Sequence, residues 1–180
     1  MPGYAAFLRG INVGGHRVAG ADLCACFEEL GLTEVATFRA SGNVVFEAGQ
    51  EPAAGLARRL EQRLEEALGY DVAVFLRTAG EVRQIAAHEP FAPELVEGSA
   101  GKLQVAMLSD GPAAQTREEV LAFATDEDRL AFGERELYWL PSGGTQASAL
   151  DLKAIGRLLG PTTMRTKGTV EQIAAKYFQR

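Results

Sequence analysis

The chain has 180 residues, 47% of them hydrophobic and 23% charged, enough apolar surface for one domain or two small ones and too much for intrinsic disorder. Eighteen Lys and Arg against 24 Asp and Glu leave a formal charge of −6, which opposes a nucleic-acid backbone unless the basic residues gather on one face. Two Cys and two His are too few for a disulfide framework or an all-Cys/His zinc site.

Residues 4–9 form a short apolar and aromatic run that stops at Gly10, the pattern of a buried strand. A glycine-containing loop over 10–20 follows. Leu23, Cys26, Phe27 and Leu30 then recur at helical spacing, closed by Gly31 as a left-handed cap. Residues 35–38 and 43–46 are β-branched and aromatic, and Ala40-Ser41-Gly42 between them predicts a hairpin. Pro52 opens a helix whose stripe is Leu56, Leu60, Leu64 and Leu68, ended by Gly69, and 72–76 is a further strand. The order is β-α-β-β-α-β, the ferredoxin-like unit.

Thr78 and Glu81 form a capping box for a helix over 79–87. Residues 88–101, rich in Pro, Gly and Glu, read as a linker or loop. The same order then repeats: a strand at 103–108, a helix over 112–124, a hairpin of 129–132 with 136–140, a helix begun by Ser148 with Asp151 as its capping-box acid, and a short strand at 162–165. Thr169 and Gln172 are a capping pair for a last helix over 169–178. The fold class is therefore α+β, two tandem ferredoxin-like halves with antiparallel sheets. Half one covers 1–77, a helix and linker 78–101, and half two with its C-terminal helix 102–180.

In such a half the sheet order is 4-1-3-2, so the exit of strand one lies beside the start of strand three. That places Arg9, Gly10 and Asn12 next to Ser41, Gly42 and Asn43. The loop from Gly10 to Arg17 leads into a helix, whose N-terminal N–H groups favour anions. Gly14 and Gly15 let backbone approach a ligand closely, and Arg9 and Arg17 supply forked donors for phosphate or carboxylate. A plainer reading stands beside this one: Arg9 paired with an acidic neighbour, Asn43 an ordinary hairpin residue, the glycines mere turn-formers. The loop is neither Gly-x-Gly-x-x-Gly nor a P-loop. A second polar cluster joins residues 142–146 to 162–169, with Arg165 and Lys167 just before a helix start.

His16 is the one candidate general base beside the glycine loop, against a solvated loop histidine as the plainer reading. Cys24 and Cys26 are two apart on a helix and point to different sides. Pro90 blocks a helical His-Glu-x-x-His arrangement at His88, and no Gly-x-Ser-x-Gly elbow is present.

The segments 7–15 and 41–46, with Asp22-Leu23, Glu28-Glu29-Leu30-Gly31, Thr163-Met164-Arg165 and Thr169-Val170, resemble the bacterial family called domain of unknown function 1697. The resemblance implies an α+β protein with ferredoxin-like halves and no established activity. The matched positions are Arg9, Asn12, Ser41, Asn43 and Arg165. The family commonly shows Lys near His16-Arg17, a Ser-Lys-Leu-like run at 147–150, and Asn where Thr166 stands, so Ser148 and Thr166 are not carried over as site residues.

Three functions compete. The first is binding of a small anionic or phosphorylated metabolite by Arg9, Asn12, Gly14, Gly15, Ser41, Asn43 and Arg165, with or without catalysis. The second is a protein-interaction or dimerisation module, since this fold hosts many roles. The third is single-stranded nucleic-acid binding through Phe7 and Phe46, which the acidic charge and the missing basic-Gly-aromatic motif oppose. No sequence feature names a cofactor, a metal or a catalytic residue. No stretch approaches the ~20 apolar residues of a membrane span, and no secretory pattern opens the chain, so a cytoplasmic protein is expected.

Overall fold

The computed structural model describes every residue except Val13, Ala40, Ser41 and Arg180. The chain divides into two compact units, Met1–Arg83 with Ile173–Arg180, and Gln84–Gln172. Each holds one four-stranded antiparallel sheet with interleaved helices, the tandem ferredoxin-like architecture expected from the element order.

In the first unit β1 (Gly3–Arg9), α1 (Gly20–Glu28), β2 (Thr33–Thr37), β3 (Asn43–Glu47), α2 (Ala53–Leu68) and β4 (Ala73–Thr78) follow in turn. The sheet order is β2-β3-β1-β4. Strand side chains alternate between faces. Tyr4, Ala6 and Leu8, with Val44, Phe46, Val74 and Leu76, therefore form one apolar face. The α2 stripe Leu56, Leu60 and Leu64, each 0% exposed, packs on it with Leu23 and Phe27 of α1. Burying one such leucine contributes about 1.5–3 kcal/mol. Gly69 ends α2 in the left-handed region (φ 81°), where only glycine sits without strain, and its N–H donates to Glu65.

In the second unit β5 (Gln104–Leu108), α5 (Ala114–Leu121), β6 (Asp128–Phe132), β7 (Glu136–Pro141), α6 (Leu152–Leu159) and β8 (Thr162–Thr166) repeat the pattern, ordered β6-β7-β5-β8. Val120, Leu130, Leu137, Trp139 and Ile155 are its core. Buried Asp128 accepts from the Trp139 indole (2.9 Å) and the Ser148 hydroxyl (2.6 Å), which ties the loop after β7 to the sheet. The helix α3 (Ala79–Ala87) carries the expected capping box, with Thr78 N–H donating to Glu81 (2.7 Å) and Glu81 N–H to Thr78 Oγ1 (3.1 Å).

Three local expectations are corrected. The stretch 88–101 contains the short helix α4 (Pro93–Gly98), begun by proline at its first position, where a missing N–H costs nothing. Ser148 does not begin α6. Asp151 is the N-cap and accepts from the Ala154 N–H at 3.0 Å, while Ser148 Oγ donates to Asp128 and accepts from the Leu150 N–H at 3.0 Å, before the helix begins. The last helix α7 (Lys167–Tyr177) starts earlier than Thr169. β8 runs on to Thr166, opposite Gln104, and Thr166 Oγ1 then caps the Thr169 N–H at 3.2 Å.

Candidate functional site

β1 and β3 pair antiparallel, Phe7 opposite Asn43, and the Leu8 N–H donates to the Gly42 carbonyl at 2.7 Å. The exit of β1 therefore meets the start of β3, and Arg9, Gly10, Gly42 and Asn43 share one end of the sheet. Arg9 follows Phe7 on the sheet face that carries Asn43. It is exposed and makes no hydrogen bond or ion pair with a described residue. The acidic partner of the plainer reading is thus not found among the described residues.

The glycine loop is an ordered turn system. Gly10, Gly14 and Gly15 have φ of 82°, 58° and 86°. A Cβ at Gly14 or Gly15 would meet open space, so these two positions need glycine for backbone conformation and not for a close neighbour. Asn12 folds the loop back by accepting the Val18 N–H at 3.1 Å. The Tyr70 hydroxyl donates to the Ile11 carbonyl at 2.7 Å, and its ring stacks on His16 with centroids 4.0 Å apart. His16 is held against an aromatic face. Arg17 remains exposed and donates to the His16 carbonyl at 2.9 Å.

The loop ends at α1, where Ala19 offers no side-chain cap and Asp22 already faces the first turn. Part of the helix dipole is met by that carboxylate. The positive charge left for a ligand is that of Arg9 and Arg17.

Asn43 is buried, and its amide donates to the Phe38 carbonyl at 3.2 Å while the Phe38 N–H donates to the Asn43 carbonyl at 2.9 Å. That is hairpin closure, and it fixes the rim beside Arg9. Ser41 lies outside the described residues. Arg165 belongs to the second unit, on β8, and donates to Thr163 Oγ1 and the Met164 carbonyl, both at 2.8 Å. Burial lowers its pKa to about 10, since desolvation disfavours the charged form. Burial likewise raises the Cys24 and Cys26 thiols above their usual value, which disfavours the reactive thiolate at both. Phe7 and Phe46 are both buried.

A second feature of the first unit lies at the other end of its sheet, where Gly3 of β1 opposes Glu47 of β3. A cavity of about 790 Å³ opens there, between β2, the end of β3, α3 and the last turn of α7. No sequence signal marks it, because its walls come from five separate segments. Among the described residues no group of three His, Cys, Asp or Glu is placed to hold a metal ion. No described helix is long and apolar enough to cross a membrane.

The whole chain is similar in structure to a conserved bacterial protein, SP0830, from Streptococcus pneumoniae. The TM-score is 0.72 at 22% identity, over 97% of each chain. At that identity the likeness shows a shared fold. No curated protein matches the chain. The family described as protein of unknown function, DUF1697, matches residues 1–138, which span both the glycine loop and the β3 motif, and the chain belongs to that family.

Proposed function

We propose that the protein binds a small anionic ligand, phosphate- or carboxylate-bearing, at the β1 exit, with Arg9 as its principal charge. The observation that carries this reading is the state of Arg9. Its guanidinium is exposed, emerges where β1 meets the start of β3, and makes no hydrogen bond or ion pair with a described residue. A guanidinium presents a planar fork of donors that matches the oxygens of phosphate and carboxylate.

The loop supports the same reading. Gly14 and Gly15 carry exposed backbone with no side chain in the way, while Asn12, Tyr70 and Asn43 hold the surrounding backbone in place. Asn12 and Asn43 are positioning residues in this arrangement, since the side chain of each bonds backbone. The reading is binding and not a named reaction.

Thermal unfolding in the presence of inorganic phosphate, sugar phosphates and nucleotides tests it. A ligand present at about a hundred times its Kd stabilises by about 2.7 kcal/mol. At least one of these compounds is expected to raise Tm, and Arg9→Ala to remove that rise. A flat response across the panel, or an Arg9→Ala protein that responds like wild type, overturns the proposal.

A further inference from the structure

We propose that the cavity at the Gly3 and Glu47 end of the first unit binds a short zwitterionic peptide. Its volume, about 790 Å³, falls in the range of roughly 300–1,000 Å³ typical of small-molecule sites. Its lining carries both signs of charge: the carboxylates of Glu34 and Glu47, and the cations of Arg83, Lys176 and the Met1 ammonium. A ligand with one sign of charge meets repelling groups as well as attracting ones. A ligand with a free ammonium and a free carboxylate finds partners for both ends.

These groups are largely unspent. The side chains of Glu34, Glu47 and Lys176 make no hydrogen bond or ion pair with a described residue. The Lys176 ammonium is held instead over aromatic rings, 5.2 Å from the centre of Tyr177 and 5.9 Å from that of Phe38, an arrangement that fixes its position without neutralising it. Arg83 is half-buried, and its guanidinium makes a long bond of 3.4 Å to the Phe178 carbonyl.

The backbone at the cavity wall favours a peptide over other zwitterions. β2 is an edge strand, and its pairing with β3 passes from Thr33 opposite Glu47 to Ala36 opposite Val45. Two β2 residues, Glu34 and Val35, therefore stand against one on β3, which is a β-bulge that leaves backbone groups outside the ladder. Both residues line the cavity, and Glu34 sits at φ 51°, a region that costs a non-glycine residue about 1–2 kcal/mol. Backbone N–H and C=O groups free of a strand partner match the amides of an extended peptide.

Calorimetric titration of the full chain with tri-alanine tests the proposal. One molecule is expected to bind per chain. An N-acetyl or a C-terminal amide block should each weaken binding about tenfold, the loss of one charge-assisted contact. Glu34→Gln with Glu47→Gln should abolish discrimination against the acetylated peptide, and Lys176→Gln discrimination against the amidated one. Glu34 and Lys176 are exposed, so these variants leave the core untouched. Arg9→Ala should bind tri-alanine as wild type does, which separates this site from the one at the opposite end of the sheet. No binding at about 10 mM peptide, equal binding of the doubly blocked peptide, or loss of binding in Arg9→Ala would each overturn it.

Discussion

At the end of the first sheet, the Leu8 N–H donates to Gly42 at 2.7 Å. At the same place in the second sheet, the Leu108 N–H donates to Arg135 at 2.9 Å. The strand order around the two bonds is the same, and the arginines beside them behave in opposite ways. In the second unit Arg117 turns inward from α5. It donates to the carbonyls of Pro112 (3.0 Å), Gly133 (2.7 Å) and Glu134 (2.8 Å), with its guanidinium 5.0 Å from the centre of the Phe132 ring. Each of its three nitrogens donates to the protein itself. In the first unit Arg9 has no such set of carbonyls, and the loop beyond it is longer and glycine-bearing. One topology thus yields a closed end and an open one, and the open end is where the proposed ligand would meet donors.

Removing the closing arginine should have the largest effect. Arg117→Ala loses three bonds from a charged donor and one cation–π contact, at a half-exposed site where solvent offsets part of the loss. The expected cost is about 2–3 kcal/mol. Trp139 is the only tryptophan in the chain and lies in the core of the second unit, so urea unfolding followed by its fluorescence reads this unit. Arg117→Lys should recover less than half of the loss, because an ammonium cannot reach three carbonyls in one plane. An unchanged midpoint for Arg117→Ala would show that the second unit closes by other means, and the contrast with Arg9 would fall with it.

Which parts of this contrast can be read from residues alone follows from their range along the chain. The strand order was legible because apolar alternation and helical stripes are local patterns, and Leu56, Leu60 and Leu64 lie at 0% exposure as their spacing requires. The Thr78 and Glu81 cap was legible for the same reason. The Thr169 and Gln172 pair has the same spacing but lies inside α7, which begins at Lys167. The start of α7 is set by how far β8 stays paired to β5, which is a tertiary matter. α4 escaped because six residues carry no period. Arg9 could be placed at a strand exit from the topology. That Arg117 is consumed while Arg9 is left over depends on where the distant carbonyls of Gly133 and Glu134 fall, and the cavity beside Glu47 depends on five segments meeting. No spacing rule carries either.

The glycine pairs of the two units offer a finer comparison. Gly15 sits at φ 86° in open space, so Gly15→Ala meets no clash and pays only for a left-handed backbone, about 1 kcal/mol. Gly143 also faces open space but is not in that region. Gly143→Ala should therefore be neutral or stabilise by up to about 1 kcal/mol, since alanine narrows the unfolded ensemble. Paired thermal melts of the two variants measure the difference. Equal costs would mean that the loop after β1 does not depend on its left-handed turns.

The smallest expected change is the one that bears most on the open end. Arg9→Ala removes an exposed side chain with no partner among the described residues, so stability should stay within about 0.5 kcal/mol of wild type by urea unfolding. Set beside Arg117→Ala, this is the sharp form of the contrast: an arginine that stabilises the fold through its own carbonyls against one that contributes almost nothing to it. A loss as large as that of Arg117→Ala would mean that Arg9 is committed to the protein after all, and the proposed anion site would lose its principal charge. Near-neutral stability together with a lost phosphate response would place the role of Arg9 in binding, because the variant would differ from wild type only when a ligand is present.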